Sequence, residues 1–140
     1  MTPPRRVVAH TDGACSGNPG AGGWAYVLEW PDGRVEEGSG FEPLTTNNRM
    51  ELIAVREALR AVRAQVGGDP GWQIVVRTDS QGVIKWLRRE WRRNKNLDLY
   101  PAIDELLDGR VGFEWVRGHS GDVWNDRVDA LAVGAYRSLR

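Results

Sequence analysis

The chain is poor in the residues that staple or metallate small proteins: it has one cysteine, Cys15, and two histidines, His10 and His119. A lone thiol excludes an internal disulfide, and so thin a supply of Cys and His argues against a structural zinc site. Net charge is missing too. Nineteen Lys and Arg balance nineteen Asp and Glu, so no global field draws the chain to nucleic acid or membrane, and any electrostatic preference must be local. No apolar run approaches a membrane span, and the opening MTPPRR is not followed by the apolar stretch of a secretory signal. Repeats, low-complexity tracts and linkers are absent as well. At 140 residues and 41% hydrophobic, the chain can bury a sizeable core. The expectation is one soluble, cytoplasmic domain over residues 1–140, a monomer with no membrane and no obligatory protein partner.

The pattern that is present changes period along the chain. Residues 7–11, 24–30 and 35–41 alternate as strands, with the Asp-Gly of PDGR as the turn between the last two. From 48 to 66 the apolar residues Leu52, Val55, Leu59 and Val62 recur at helical spacing. Residues 72–78 read as a strand, 81–107 as one or two helices, 111–116 as a strand and 122 onward as a final helix. Three meandering strands followed by alternating helices and strands predict an α/β fold, a mixed five-stranded sheet flanked by helices.

In the glycine-rich stretch, Gly17 to Gly22 has the glycine spacing of a Walker loop. Gly23-Trp24 stands where Lys-Ser/Thr belongs, and a strand rather than a helix follows, so a phosphate loop is excluded. Gly-Asn-Pro-Gly reads instead as a turn between strands.

Acidic residues carry more information. Thr11-Asp12-Gly13 ends the first strand and Thr78-Asp79-Ser80 ends the fourth. If those strands are parallel neighbours, both carboxylates emerge at the carboxyl edge of the sheet, where open α/β sheets bind ligands. Turn or helix capping is the plain alternative for either Asp. Glu51 falls in the apolar arc of its helix with Val55, Ala58, Leu59 and Val62, a costly place for an unpaired carboxylate. Asp129 sits at the margin of the Trp124, Val128, Leu131 and Ala135 stripe. Four such acids indicate a site for a hard cation, Mg²⁺ or Mn²⁺. Chemistry alone therefore points to a metal-dependent nuclease or phosphatase.

The segments TDGACSGNPGAGGW, TTNNRMEL, TDSQ and VRGHSG, with Asp129 ten residues after His119, resemble ribonuclease H of type 1. The likeness runs from Thr11 to Asp129 in the order of that family. It implies a ribonuclease H-like fold: five strands, three antiparallel and two parallel, flanked by helices. It implies an endonuclease that hydrolyses the RNA strand of RNA/DNA hybrids to 5′-phosphate and 3′-hydroxyl ends with two ions bound alongside substrate. Asp12, Glu51, Asp79 and Asp129 match the metal carboxylates. By the same likeness Asp12 bridges both ions, Asp129 holds the one that activates water, and Glu51 and Asp79 hold the other. His119 matches a histidine that assists proton transfer or product release.

Asn18, Asn47, Asn48 and Gln81 match minor-groove contacts, where 2′-hydroxyls mark the RNA strand, and Thr46 matches a contact to a DNA phosphate. Helix capping is the alternative role for the two Asn. The chain departs from many bacterial members in lacking the long lysine-rich protrusion; KWLRREWRRNKNLDLY stands there. Trp86 matches a residue that packs on a DNA sugar, and Arg88 or Arg89 is expected to replace the Asn of its phosphate pocket, with Lys85, Arg92, Arg93 and Lys95 as further cations. Two other readings use the same fold: an idle hybrid-binding module, and a DNA-directed nuclease such as a resolvase or transposase-like enzyme. The roles of Cys15 and His10 stay open at this level.

Overall fold

Alternation in the first third of the chain builds an antiparallel meander. In the computed structural model, which describes residues 5–138, β1 (Arg5–Cys15), β2 (Gly20–Glu29) and β3 (Val35–Thr45) are each longer than their sequence pattern predicts. The opening MTPP and the expected run of the last helix through 139–140 lie outside the described residues. At the β2–β3 turn Gly33 adopts a φ of 91°, and its amide donates to the Trp30 carbonyl at 3.0 Å. That left-handed conformation favours glycine.

The glycines after Pro19 are strand, not loop. A Cβ at Gly23 would run into the Ala132 carbonyl, so this glycine lets the last helix lie directly on the β2 backbone.

Helix α1 (Asn47–Val66) starts at Thr46, whose hydroxyl accepts the Arg49 amide at 3.3 Å, and ends at Gly67 with a φ of 56°. Capping thus falls to Thr46, not to Asn47 or Asn48. The chain continues through β4 (Trp72–Thr78), α2 (Gln81–Leu87), α3 (Tyr100–Leu106), β5 (Val111–Trp115) and α4 (Val123–Arg137). Residues 88–99 are not helical. Arg89 and Asn96 hold φ values of 59° and 58°, which a helix does not tolerate.

The sheet order is β3-β2-β1-β4-β5. β1 is antiparallel to β2 and parallel to β4, and β5 is parallel to β4; this is the expected mixed sheet. Its two faces are unequally filled. Against one, Leu52, Val55, Leu59 and Val62 of α1 pack on Val7, Ala9, Ile74 and Val76, with Val83, Leu87 and Ile103 from the shorter helices. Each such side chain contributes roughly 1.5–3 kcal/mol of burial. On the other face α4 buries only Val128 and Ala132 against Ala25 and Val27. Among the described residues no helix is long and apolar enough to cross a membrane.

Candidate active site

Register alone brings two of the acids together. The parallel β1–β4 pairing ends at His10 opposite Arg77, so Asp12 and Asp79 each lie two residues past the last paired position. Neither is spent as a helix cap. Ser80 caps α2 by accepting the Val83 amide at 3.1 Å, and its own amide donates to Thr78 Oγ1 at 3.0 Å. Glu51, in the first turns of α1, is 4% exposed and reaches the same edge. Asp129 arrives from the opposite face on α4.

One carboxylate oxygen from each of Asp12, Glu51 and Asp79 lies within 4.8 Å of the others. Opposite ligands of a Mg²⁺ ion stand about 4.2 Å apart, so an all-oxygen set of this span fits a hard divalent ion. Asp129 stands outside that trio but lines the same cleft of about 310 Å³. Asn47, Cys15 and Tyr136 complete its rim.

The electrostatics are those of crowded acids. Burial first, then the charges of Glu51 and Asp79, push Asp12 far above the ordinary carboxyl range, and its retained proton bridges to Glu51. Burial likewise lifts Glu51, against the pull of hydrogen bonds from Asp12 and from the Gly13 amide. Asp79 is raised by burial and by Asp129, with Asn125 and the nearby His119 side chain drawing it back. In the absence of a cation, a shared proton does the neutralising.

Asn125, a buried polar residue at 5% exposure, is a candidate that sequence reasoning missed. Its side chain draws the Asp79 carboxyl back down against the burial that raises it. The available signal was an Asn one helical turn before Asp129, on the same face of α4. His119 is exposed on the Gly118–Gly121 loop with a φ of 55°. A Cβ on Gly118 would stand 3.0 Å from Asp79 Oδ2, so this loop closes directly over the acids.

The expected substrate contacts surround the cleft unevenly. Asn18, Asn47, Asn48 and Gln81 are exposed, and the Asn47 amide donates to Asn18 Oδ1 at 3.2 Å, tying the β1–β2 turn to α1. Trp86 lies with Asn48, Asn94, Lys95, Asn96 and Tyr100 around a small cleft of about 40 Å³. Arg49 holds this segment in place, with a bidentate pair to Asp98 (2.9 Å) and a bond to Asn96 Oδ1 (3.3 Å). The structure puts Asn94 and Asn96 where the sequence reading expects Arg88 or Arg89. Arg88 instead donates to the Phe113 carbonyl, and Arg89 joins Arg93 on Asp104. Lys85 pairs with Glu90. Among the described residues Arg92 and Lys95 carry no ion pair.

A larger cleft, about 460 Å³, lies at the far end of the sheet beside Trp30 and Trp72. Its acids Asp69 and Asp32 are engaged by Arg5 and Arg34, so it offers no comparable set of free carboxylates.

Comparison with known proteins agrees with this geometry. A family model described as RNase H matches residues 4–137. A ribonuclease H of Syntrophomonas wolfei is 44% identical, with 96% of this chain and 99% of that one covered. The crystal structure of RNase H1 from the halophilic archaeon Halobacterium salinarum superposes with a TM-score of 0.77 at 35% identity, covering 95% and 98% of the two chains. LC11-RNase H1, solved in complex with RNA/DNA hybrid, shares the fold with a TM-score of 0.81 at 22% identity over 95% and 98%. With its acids converging at one sheet edge and these relatives spanning nearly its whole length, the chain belongs to the ribonuclease H family of phosphodiester-hydrolysing enzymes.

Proposed function

We propose that the chain hydrolyses the RNA strand of RNA/DNA hybrids at the cleft of Asp12, Glu51, Asp79 and Asp129, leaving 5′-phosphate and 3′-hydroxyl ends. The convergence of Asp12, Glu51 and Asp79 oxygens carries this reading. Family membership and the hybrid-bound state of LC11-RNase H1 support its substrate class.

The four carboxylates would hold two divalent ions, Mg²⁺ or Mn²⁺, which when bound supply an activated water and neutralise charge on the scissile phosphate. Their proton-sharing keeps the set close together until cations replace the proton. His119, free on its loop, is placed to take or return a proton at the edge of the cleft.

Recognition falls to polar groups flanking the acids. Asn18, Asn47, Asn48 and Gln81 present amides suited to the 2′-hydroxyls and base edges of a minor groove. Thr46, its oxygen already accepting from Arg49, keeps an O–H to donate to a phosphate. Across α1, the Trp86 cleft with Asn94, Lys95 and Asn96 suits a DNA sugar and phosphate.

The deciding experiment is cleavage of end-labelled RNA/DNA, RNA/RNA, DNA/DNA and single-stranded RNA in Mg²⁺ by the wild type and by Asp12→Asn. Cutting confined to the RNA of the hybrid, and abolished by the substitution, is expected. A hybrid bound but left whole, or DNA/DNA cut in its stead, overturns the proposal.

A further inference from the structure

Helix α4 carries Asp129 to the cleft and Asn125 beside it, and its fully buried apolar contact with the sheet is two valines and two alanines, with Ala14, Trp124 and Leu131 partly buried against them. Its first turn is held by something else. Asp122 accepts the Asn125 amide at 2.9 Å and meets Arg77 at 3.2 Å. The next aromatic, Trp124, lies on the imidazole of His10 with ring centroids 5.5 Å apart and planes 23° from parallel. His10 is 2% exposed, and its Nε2 meets Glu29 Oε1 of β2 at 2.5 Å. Because an ionised carboxylate only accepts, Nε2 is the donor.

A buried imidazole is a poor filler. It costs desolvation that a Leu or Val in the same space would not. What it adds is a ring pinned in two directions: Glu29 fixes its rotation in the plane, and its face supports Trp124. His10 also lies two residues before Asp12, on the same face of β1. The platform for α4 and the central acid of the cleft therefore ride on one short piece of backbone.

We propose that Glu29, His10 and Trp124 form a strut that sets the tilt of α4, so that Asn125 reaches Asp79 and Asp129 reaches Asp12. His10 is thus a positioning residue for the divalent-ion site. This rests on the reading of the cleft as the ribonuclease centre.

The test uses the full chain with Mn²⁺ as probe, titrated by calorimetry without substrate, alongside kcat and KM on the hybrid. His10→Ala and Trp124→Ala are each expected to weaken Mn²⁺ binding about tenfold, the scale of losing a group that orients metal ligands. kcat should fall with it while KM stays within about twofold. The double variant should be no worse than either single one, since both break one contact. His10→Phe, which keeps a ring under Trp124 but loses its tie to Glu29, should recover part of the affinity and no more.

Wild-type Mn²⁺ affinity in His10→Ala, additive losses in the double variant, or no recovery in His10→Phe would each overturn the strut. Should His10→Ala fail to fold, Trp124→Ala decides, and wild-type affinity there overturns it equally. If the wild type leaves the hybrid intact, the ribonuclease reading falls, while the Mn²⁺ titrations still judge the strut.

Discussion

The Gly13 amide donates a hydrogen bond to the carboxylate of Glu51, with the β1 backbone set against the first turns of α1. A Cβ at Gly13 would strike the Met50–Glu51 backbone and stand 2.7 Å from Met50 Cβ. The contact that positions a buried acid is therefore also a steric demand for glycine. Gly13→Ala should lower stability by about 2–3 kcal/mol, the scale of overpacking, and weaken Mg²⁺ binding with it. Urea unfolding and an ion titration check both; a stable variant with intact ion affinity contradicts the prediction.

Without metal, stability should fall as pH rises from about 4 to about 7. The folded state holds Asp12, Glu51 and Asp79 above their ordinary range, so it binds more protons than the unfolded chain across that window. The contribution is complete below the unfolded pKa values and is lost as pH passes the folded ones; Glu51, pushed up to about 7, marks where its own share of the loss is finished, and Asp12, held higher still, continues the loss above that pH. Carboxylates held down by arginines, such as Asp104, finish titrating below this window. Thermal unfolding in chelator should show a drop of about 3 kcal/mol, and added Mg²⁺ should recover more at the alkaline end, because the ion displaces protons. A larger Mg²⁺ gain under acidic conditions contradicts this.

Asp12→Asn should separate activity from stability. Cleavage is lost, while the metal-free protein becomes more stable by about 1–2 kcal/mol, because an amide can donate to Glu51 without adding charge. Chelator-treated wild type and variant compared by thermal unfolding give the answer, and a less stable variant sinks the account of crowded acids.

Arg92 and Lys95, free of acidic partners among the described residues, should carry the phosphate grip. Replacing both with Ala should raise KM several-fold and reduce the salt dependence of hybrid binding by about two counterions. Arg89→Ala, which removes a partner of Asp104, should leave that slope nearly unchanged. Equal slopes for wild type and the Arg92, Lys95 double variant would place the grip elsewhere.

Arg49, half-buried at 27% exposure, organises the Asn96 segment through a partner, Asp98, that is 65% exposed. Arg49→Ala should cost less than about 1 kcal/mol of stability yet raise KM about fivefold. A kcat loss at constant KM would show instead that the acids have moved.

Much of this was readable from sequence because it depends on local pattern. Alternation gives the strands, and the 3.6-residue spacing of Leu52, Val55, Leu59 and Val62 places Glu51 on the buried face of α1. The matched Thr-Asp tripeptides put Asp12 and Asp79 at one edge once the strands are parallel, although only the second ends its strand; β1 runs on past Asp12 to Cys15 along β2. Each follows from backbone geometry that a residue carries wherever it sits.

What the tertiary structure decided is who neighbours whom across the chain. Gly20–Gly23 looks like loop in sequence but is strand, because the backbone of α4 at Ala132 comes close enough to require Gly23. Asn94 and Asn96, rather than Arg88 or Arg89, stand beside Trp86, because Arg49, some 47 residues from Asn96, draws that turn in. Asn125 reaches Asp79, and His10 lies under Trp124, only once α4 has docked. Such contacts join residues far apart in the chain and depend on distances of tenths of an ångström, which no periodicity records; only packing sets them.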